Sequence, residues 1–362
     1  MKIVSTPYTN YDIEIRNILI REFYNPRTKI VFITIYRGKI DMPLKMAMLD
    51  ALNRGVKVYT YIEQNAAGSK KENEKLAQFI IENGGVVCSS FGKKSRTHAK
   101  CFLTIESDSL YITDTAMIDR GVYIISTGNW DSTNSEDIHV LGEYKYGVYM
   151  NENTIYKSLL LSFVNIFWNS IGGSIFHPFV IDEINVCKIS NIDQFKMAPA
   201  KDICKEIAWM IDHATKKIYI KCPIISEKHV IESIANAVER GVDVRILTKE
   251  RPYKIYKTPS VYSDIRGLVS IRKDDDFGWI HKHSRFIVVD GQSAIFTCNL
   301  VDSKRIDSYL NLGYDAHITI GYDKTNTPVT LSFRNYFWRR FKEAKQEYWF
   351  LSNSKDWTDI EK

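Results

Sequence analysis

The sequence predicts an α/β fold made of two duplicated units, each a mixed, largely parallel sheet flanked by helices. Three observations predict it. A strand–helix–strand run occurs twice, a His-x-cation motif occurs twice, and an aromatic-rich segment closes each copy.

The first strand of each copy is a short β-branched or aromatic run, Thr28–Ile33 in one and Lys216–Ile220 in the other. A segment with apolar residues at helical spacing follows each, MPLKMAMLDALNRG (42–55) and HVIESIANAVERG (229–241). Both end in Arg-Gly, and the glycine suits a left-handed helix cap. A second strand comes next, VKVYTYIE (56–63) and VDVRILTKE (242–250). Gly241 follows Gly55 by 186 residues, His283 follows His98 by 185, and Asn299 follows Asn129 by 170. An insertion in the first copy accounts for the shortfall of 15, and SDSLYITDTAMIDRG (107–121) is the segment of that length. The closing segments LSFVNIFW (161–168) and LSFRNYFW (331–338) agree at six of eight positions. Strand–helix alternation of this kind implies α/β units. The expected domains are 1–175 and 176–362, with Gly172, Gly173, Pro178 and Pro199 punctuating the junction.

With 44% hydrophobic and 25% charged residues over 362 positions, the chain has the composition of a soluble globular protein. A net charge of +6 suits an anionic small substrate, nucleic acid or a membrane surface, and equally an ordinary solvated surface. The six cysteines form no C-x-x-C pair and several lie in apolar runs. They are expected to be buried free thiols in a reducing, cytoplasmic compartment. The opening residues are too polar for a signal peptide. The most apolar stretch, 158–181, is broken by Asn165, Asn169, Gly172, Gly173 and Pro178, which makes a poor membrane span.

The chemistry lies in two constellations. The first is Thr97-His98-Ala99-Lys100, entering the apolar strand CFLTI, with Asn129 downstream in STGN. The second is His283-Ser284-Arg285, entering FIVVD, with Asn299 downstream in TCN. Alternate residues of a strand share a face, so each copy presents an imidazole and a cation to one pocket. One neutral imidazole can attack phosphorus, and the other, protonated, can serve the leaving oxygen. Lys100 and Arg285 would hold the phosphoryl oxygens, with Asn129 and Asn299 donating through their amides. Such a set needs neither metal nor cofactor. It does need the two histidines in opposite protonation states. His139, His177, His213, His229 and His317 have no evident counterparts, and His281 could share the strand face of His283. Arg37, ending the first strand in ITIYR, points where a phosphate could sit.

These residues resemble the phospholipase D superfamily, whose signature is His-x-Lys followed across four residues by Asp, with a downstream Asn, twice per active site. The resemblance covers most of the chain. It implies two phospholipase D-like domains about a pseudo-two-fold axis, with His98 as nucleophile and His283 as acid. It also implies that Asp290, at the signature's aspartate position, orients a histidine. The ITIYR run, the THAK and STGN pairing and the HSRF form of the second motif are similar to the catalytic half of polyphosphate kinases. That similarity implies a phosphohistidine on His98 and a phosphate-binding role for Arg37. The departures are Ile105 in place of the first Asp, with Glu106 one step further on, and Arg285 in place of the second Lys. The stretch EQNAAGSKKE (63–72) also lacks the second phosphate-gripping Arg of such kinases.

A phosphodiesterase acting through a phosphohistidine is therefore the expected function, with a polyphosphate-kinase-like phosphotransferase as the alternative. A third alternative is a catalytically reduced, membrane-associated relative. Nucleic acid is the preferred substrate over phospholipid, because KKSR (93–96) and Lys249-Glu250-Arg251 lie near the motifs. The FW segments could dock on a membrane interface, but their repetition at equivalent positions favours burial in the core.

Overall fold

The computed structural model describes residues 2–5, 15–63, 66, 68–89, 97–106, 120–130, 135–145, 195–225, 227–249, 269–274, 281–301, 314–320 and 328–346, with parts of 155–166. The expected domain junction near 175 lies outside them.

The first unit contains β1 (Lys2–Ser5), α1 (Ile15–Tyr24), β2 (Ile30–Ile35), α2 (Met42–Asn53), β3 (Lys57–Ile62), α3 (Lys70–Glu82), β4 (Val86–Cys88), β5 (Cys101–Ile105), β6 (Arg120–Ser126), β7 (Ser135–Glu136) and β8 (Ile138–Lys145). The second contains β9 (Phe195–Pro199), α4 (Ala200–Asp212), β10 (Lys217–Lys221), α5 (Lys228–Glu239), β11 (Asp243–Thr248), β12 (Val269–Lys273), β13 (His281–Lys282), β14 (Phe286–Val289), β15 (Gln292–Phe296), β16 (Tyr314–Ile320), α6 (Pro328–Glu343) and β17 (Lys345–Gln346).

The first sheet runs β1-β8-β6-β5-β2-β3-β4, and the second runs β9-β16-β15-β14-β10-β11-β12-β17. Apart from β17 the two orders are the same, so the duplication extends to topology. Each sheet is mixed. The parallel part is confined to β2-β3-β4 and β10-β11-β12, with α2, α3 and α5 carrying the chain from β2 to β3, β3 to β4 and β10 to β11. Every other pairing within the sheets is antiparallel. The parallel share is thus smaller than strand–helix alternation suggests, because β5–β6 and β14–β15 pair antiparallel and need no crossover helix.

The helix ends follow the sequence signals. Asp41 caps α2 by accepting from Leu44 N at 3.2 Å, and Glu227 caps α5 by accepting from Val230 N at 2.9 Å. Gly55 and Gly241 end these helices at φ 82° and 81°, the conformation that favours glycine. The next residues reach back, Val56 N to Ala51 O and Val242 N to Ala237 O, closing the same cap in both copies.

β2 is buried on both faces. Its odd-numbered residues, Val31, Ile33 and Ile35, join α1, α2 and α3 in one core. α4 and α5 form the equivalent outer core with Ile218 and Ile220 of β10. The inner faces of both sheets share a single central core with α6 and with residues of 155–166. There Phe163 stacks on Phe32 at 5.5 Å and Phe337 stacks on Tyr219 at 5.1 Å. The described aromatics of these segments, Phe163, Phe333 and Phe337, are therefore interior. Among the described residues no helix is long and apolar enough to cross a membrane. Cys88, Cys101, Cys204, Cys222 and Cys298 are buried free thiols. Cys187 lies outside the described residues.

Candidate active site

The two motif strands, β5 and β14, pair antiparallel with the central strands β2 and β10. The residues just before each strand carry the chemistry. His98 precedes β5 and His283 precedes β14. Lys100 is fully buried, and Arg285 is 2% exposed. No bulk water reaches either charge, so each must find its partners inside the site.

The halves meet here reciprocally. His283 Nδ1 lies 3.0 Å from Asp137 Oδ1 of the first half. His98 Nδ1 lies 3.4 Å from Asp315 Oδ1 of the second half. Each aspartate is fixed by a threonine of its own half, Thr127 Oγ1 donating to Asp137 at 2.8 Å and Thr297 Oγ1 to Asp315 at 2.9 Å. A two-stranded parallel ribbon of β7 and β13 joins the halves and runs directly into Asp137 and His283. Arg285 completes the joint by donating to Thr127 O at 3.2 Å. One composite site thus draws on both copies.

The cations are used differently. Lys100 Nζ donates to the backbone oxygen of His98 at 2.6 Å. Arg285 uses its fork: Nε to Asn299 Oδ1 at 2.8 Å, Nη2 to His283 Nε2 at 2.8 Å, and Nη1 to backbone oxygens. The amide of Asn299 is thereby tied to the second cation. The Oδ1 of Asn129 is buried and has no hydrogen-bond partner among the described residues. Arg37 follows β2 closely enough to Lys100 to add to the lowering of that lysine's proton affinity by burial, and its Nε is a buried donor without a partner among the described residues. Tyr36, which the sequence did not mark, packs its ring edge-on to His98 at 4.6 Å and lies 5.1 Å from Lys100 Nζ.

Burial and the neighbouring cations act together on the imidazoles. Burial, then Lys100 and Arg285, hold the His98 pKa well below the usual histidine range. Burial, then Arg285, bring His283 to about 4 despite Asp137. Burial and Arg285 likewise lower Lys100. Burial raises Asp315 to about 6, against the pull of Lys100. Both imidazoles are therefore neutral at pH 7 in the ligand-free site. The expected opposition of protonation states is not built into the resting protein and would have to arise when an anion offsets the cations.

Asp290 stands apart from this cluster. It sits in the β14–β15 turn at φ 50°, at the far end of β14 from His283. Its carboxylate accepts from Thr215 N and Oγ1, Lys216 N and Lys217 N at 2.8–2.9 Å. Burial works to raise its pKa, but the hydrogen bonds from Thr215 and Lys217 prevail and hold it low. It anchors the chain entering β10, and the geometry gives it no histidine to orient. In the first half Glu106 does comparable work, accepting from Asn25 Nδ2 at 2.5 Å just before β2. The offset of one residue from the signature position thus keeps the anchoring role.

The orienting aspartates are Asp137 and Asp315, which the sequence did not single out. The available signal was a repeated Asp-x-His, Asp137-Ile138-His139 and Asp315-Ala316-His317, at an offset of 178. His139 and His317 are thus counterparts of one another. Burial lowers their pKa values to about 4 and about 3. His213 stacks on Trp209 and His229 is exposed beside Glu232, both away from the site. The His281 side chain and His177 lie outside the described residues. Among the described residues no group of three or more His, Cys, Asp or Glu is placed to hold a metal ion.

Comparison with known proteins agrees with this architecture. Residues 207–308 match the family described as cardiolipin synthase, PLD-like domain, and residues 2–143 match polyphosphate kinase C-terminal domain 1. A polyphosphate kinase of Mycolicibacterium gilvum is 23% identical over 257 residues, which cover 68% of this chain and 31% of that one. The crystal structure of polyphosphate kinase from Porphyromonas gingivalis superposes with a TM-score of 0.65 at 15% identity, covering 94% of this chain and 50% of that one. Phosphatidylserine synthase of Haemophilus influenzae Rd KW20 superposes with a TM-score of 0.57 at 12% identity, covering 95% and 87%. The chain spans half or less of the two polyphosphate kinases it matches. At such identities the structural likenesses speak for the fold alone. The second half is thus similar to a phospholipase D-like domain and the first to a polyphosphate kinase C-terminal domain, and the two-unit fold agrees with both.

Proposed function

We propose that this protein transfers phosphoryl groups through a phosphohistidine on His98, acting as a phosphodiesterase. The observation that carries this is the composite site itself: two part-buried imidazoles from different halves, each facing the other half's aspartate, with the buried Lys100 and Arg285 beside them. With Nδ1 turned to Asp315, His98 would attack phosphorus through Nε2. Lys100 leaves that ring alone and binds the backbone oxygen instead. The Nε2 of His283 accepts from Arg285 and faces the same cation that would grip phosphate. The anionic phosphate of an arriving diester offsets Arg285 and raises the proton affinity of His283. The imidazolium then gives its proton to the leaving oxygen as the Nε2–P bond forms and the P–O bond breaks. Water, activated by the now neutral His283, would attack the phosphohistidine and release His98.

A phosphotransferase of the polyphosphate-kinase type is the second reading. The match of residues 2–143 to a polyphosphate kinase domain favours it. Chemistry at His98 would be shared, and only donor and acceptor would change. The nucleic-acid preference gains no support, since the basic segment 93–96 and Arg251 lie outside the described residues.

Incubating the protein with phosphodiester substrates, and separately with nucleoside triphosphate and polyphosphate, tests both readings. Hydrolysis of a diester with an acid-labile phosphate on His98 supports the first. Labelling by nucleotide or polyphosphate alone supports the second. No histidine-bound phosphate with any donor would sink both.

A further inference from the structure

The first half contains a buried polar node that the two-histidine chemistry does not use. Asn73 lies on α3, where Asn73, Leu76 and Ile80 form the buried stripe. An asparagine 1% exposed on a core-facing stripe needs partners for its amide. It finds them at the backbone around Arg37. Gly38 N donates to Asn73 Oδ1 at 2.5 Å, and Asn73 Nδ2 donates to Tyr36 O at 2.9 Å. The same Nδ2 donates to Glu63 O. Glu63, fully buried at the end of β3, turns its carboxylate to Thr97 N at 2.6 Å, one residue before His98. Its own N–H bonds Ile35 O at 2.9 Å.

One side chain thus fixes the backbone on both sides of Arg37, and its neighbour Glu63 fixes the approach to His98. The close fit is visible at Gly38, where an added Cβ would meet Asn73 Oδ1 at 2.8 Å and Asn73 Cα at 3.2 Å. The residues so held face the site. Tyr36 packs on His98, and the buried Nε of Arg37 has no partner among the described residues. We propose that Asn73 is a positioning residue of the active site: by clamping Tyr36 and Gly38 it aims Arg37 at the phosphate that His98 attacks. This rests on the phosphoryl-transfer reading for the anion that Arg37 grips.

Asn73→Asp keeps the acceptor for Gly38 N and loses both amide donations, while Gly38→Ala presses on the same contact from the loop side, its Cβ meeting Asn73 and Leu76. Inorganic phosphate binding, measured by calorimetry on folded variants, should weaken about tenfold in Asn73→Asp, in Gly38→Ala and in Arg37→Ala, the worth of one charged hydrogen bond. In the Arg37→Ala background, Asn73→Asp should weaken it no further, because only a residue acting through Arg37 is silent there. Additive weakening, or none from either variant, would overturn the assignment. Hydrogen exchange gives a readout independent of phosphate. The Gly38 and Thr97 amides should exchange faster in Asn73→Ser while those of α2 stay protected. Unchanged exchange also overturns it. If the unmodified protein binds no phosphate, the phosphoryl-transfer reading fails, and the exchange result still decides whether Asn73 holds the loop.

Discussion

The two halves place the same four residue types at the same topological points, yet they use them differently. In the second half, Arg285 grips its own histidine and asparagine, and His283 makes a 3.0 Å hydrogen bond to Asp137. In the first half, Lys100 ignores the imidazole ring, and His98 stands 3.4 Å from Asp315 with Tyr36 against its edge. The second half holds its histidine as a proton carrier needs to be held. The first sends its cation's hydrogen bond to the backbone oxygen of His98 and not to the ring, which suits the proposed nucleophile. A duplicated fold can thus supply two roles once its copies diverge at one cation and one neighbouring aromatic.

The largest test of that contrast is removal of the cations. Lys100→Ala and Arg285→Ala should each slow phosphoryl transfer by about 10²- to 10³-fold, the range for losing one preorganised charge-stabilising group. Arg285→Lys should recover little, because a lysine cannot serve Asn299, His283 and Thr127 together. Recovery to near the original rate would mean that charge alone matters and that the halves differ less than their geometry indicates.

A smaller effect is expected at the cross-half aspartates. Asp137→Asn should slow transfer by about 10- to 100-fold, as a lost hydrogen bond to a charged group implies. Asp315→Asn should cost less, since its contact with His98 is longer and its carboxyl, lifted to about 6, is partly protonated near that pH already. Equal losses would erase the distinction between the two pairs.

Proton uptake offers a finer probe. His283 titrates near 4 in the ligand-free site, with Arg285 among the causes. An anion that offsets Arg285 raises this value. Between the free and bound pKa values the complex then holds more protons, so affinity rises as pH falls. Tungstate binding at pH 6, followed in buffers of differing ionisation enthalpy, should take up a fraction of a proton in the unaltered protein and less in His283→Gln. Proton release would contradict the assignment.

The smallest effect belongs to Asp290→Ala. Its hydrogen bonds are solvent-exposed, so it should lower stability by about 1 kcal/mol in denaturant unfolding. The transfer rate should not change. A large loss of rate would restore Asp290 to the site.

How much of this was legible in the sequence follows from how each residue is fixed. His98, Lys100, Asn129, His283, Arg285 and Asn299 were visible because the duplication repeats them in register, and strand alternation places each His and cation together. The capped helices were visible because Arg-Gly ends are local signals. Asp137 and Asp315 escaped because they act on the other half's histidine, and no sequence spacing encodes a contact across the interface. Their repeat offset of 178 also falls between those of the histidines and the asparagines, which hid the Asp-x-His pairs. Asp290 misled for the opposite reason, since it matches a signature position whose role here is to tie a turn to the start of β10. Tyr36 and Asn73 escaped because a tyrosine beside an arginine and an asparagine in a charged helix look ordinary until packing shows what they touch.

If the two histidines are chemically unequal, mass spectrometry of trapped intermediates will separate them. His283→Ala and His98→Ala should each be incubated with a panel of phosphodiesters and with nucleoside triphosphate and polyphosphate, then analysed intact and after acid. An acid-labile phosphoryl adduct is expected on His98 in His283→Ala and none in His98→Ala. An adduct on His283 in the His98→Ala protein would contradict it and exchange the roles of the two halves.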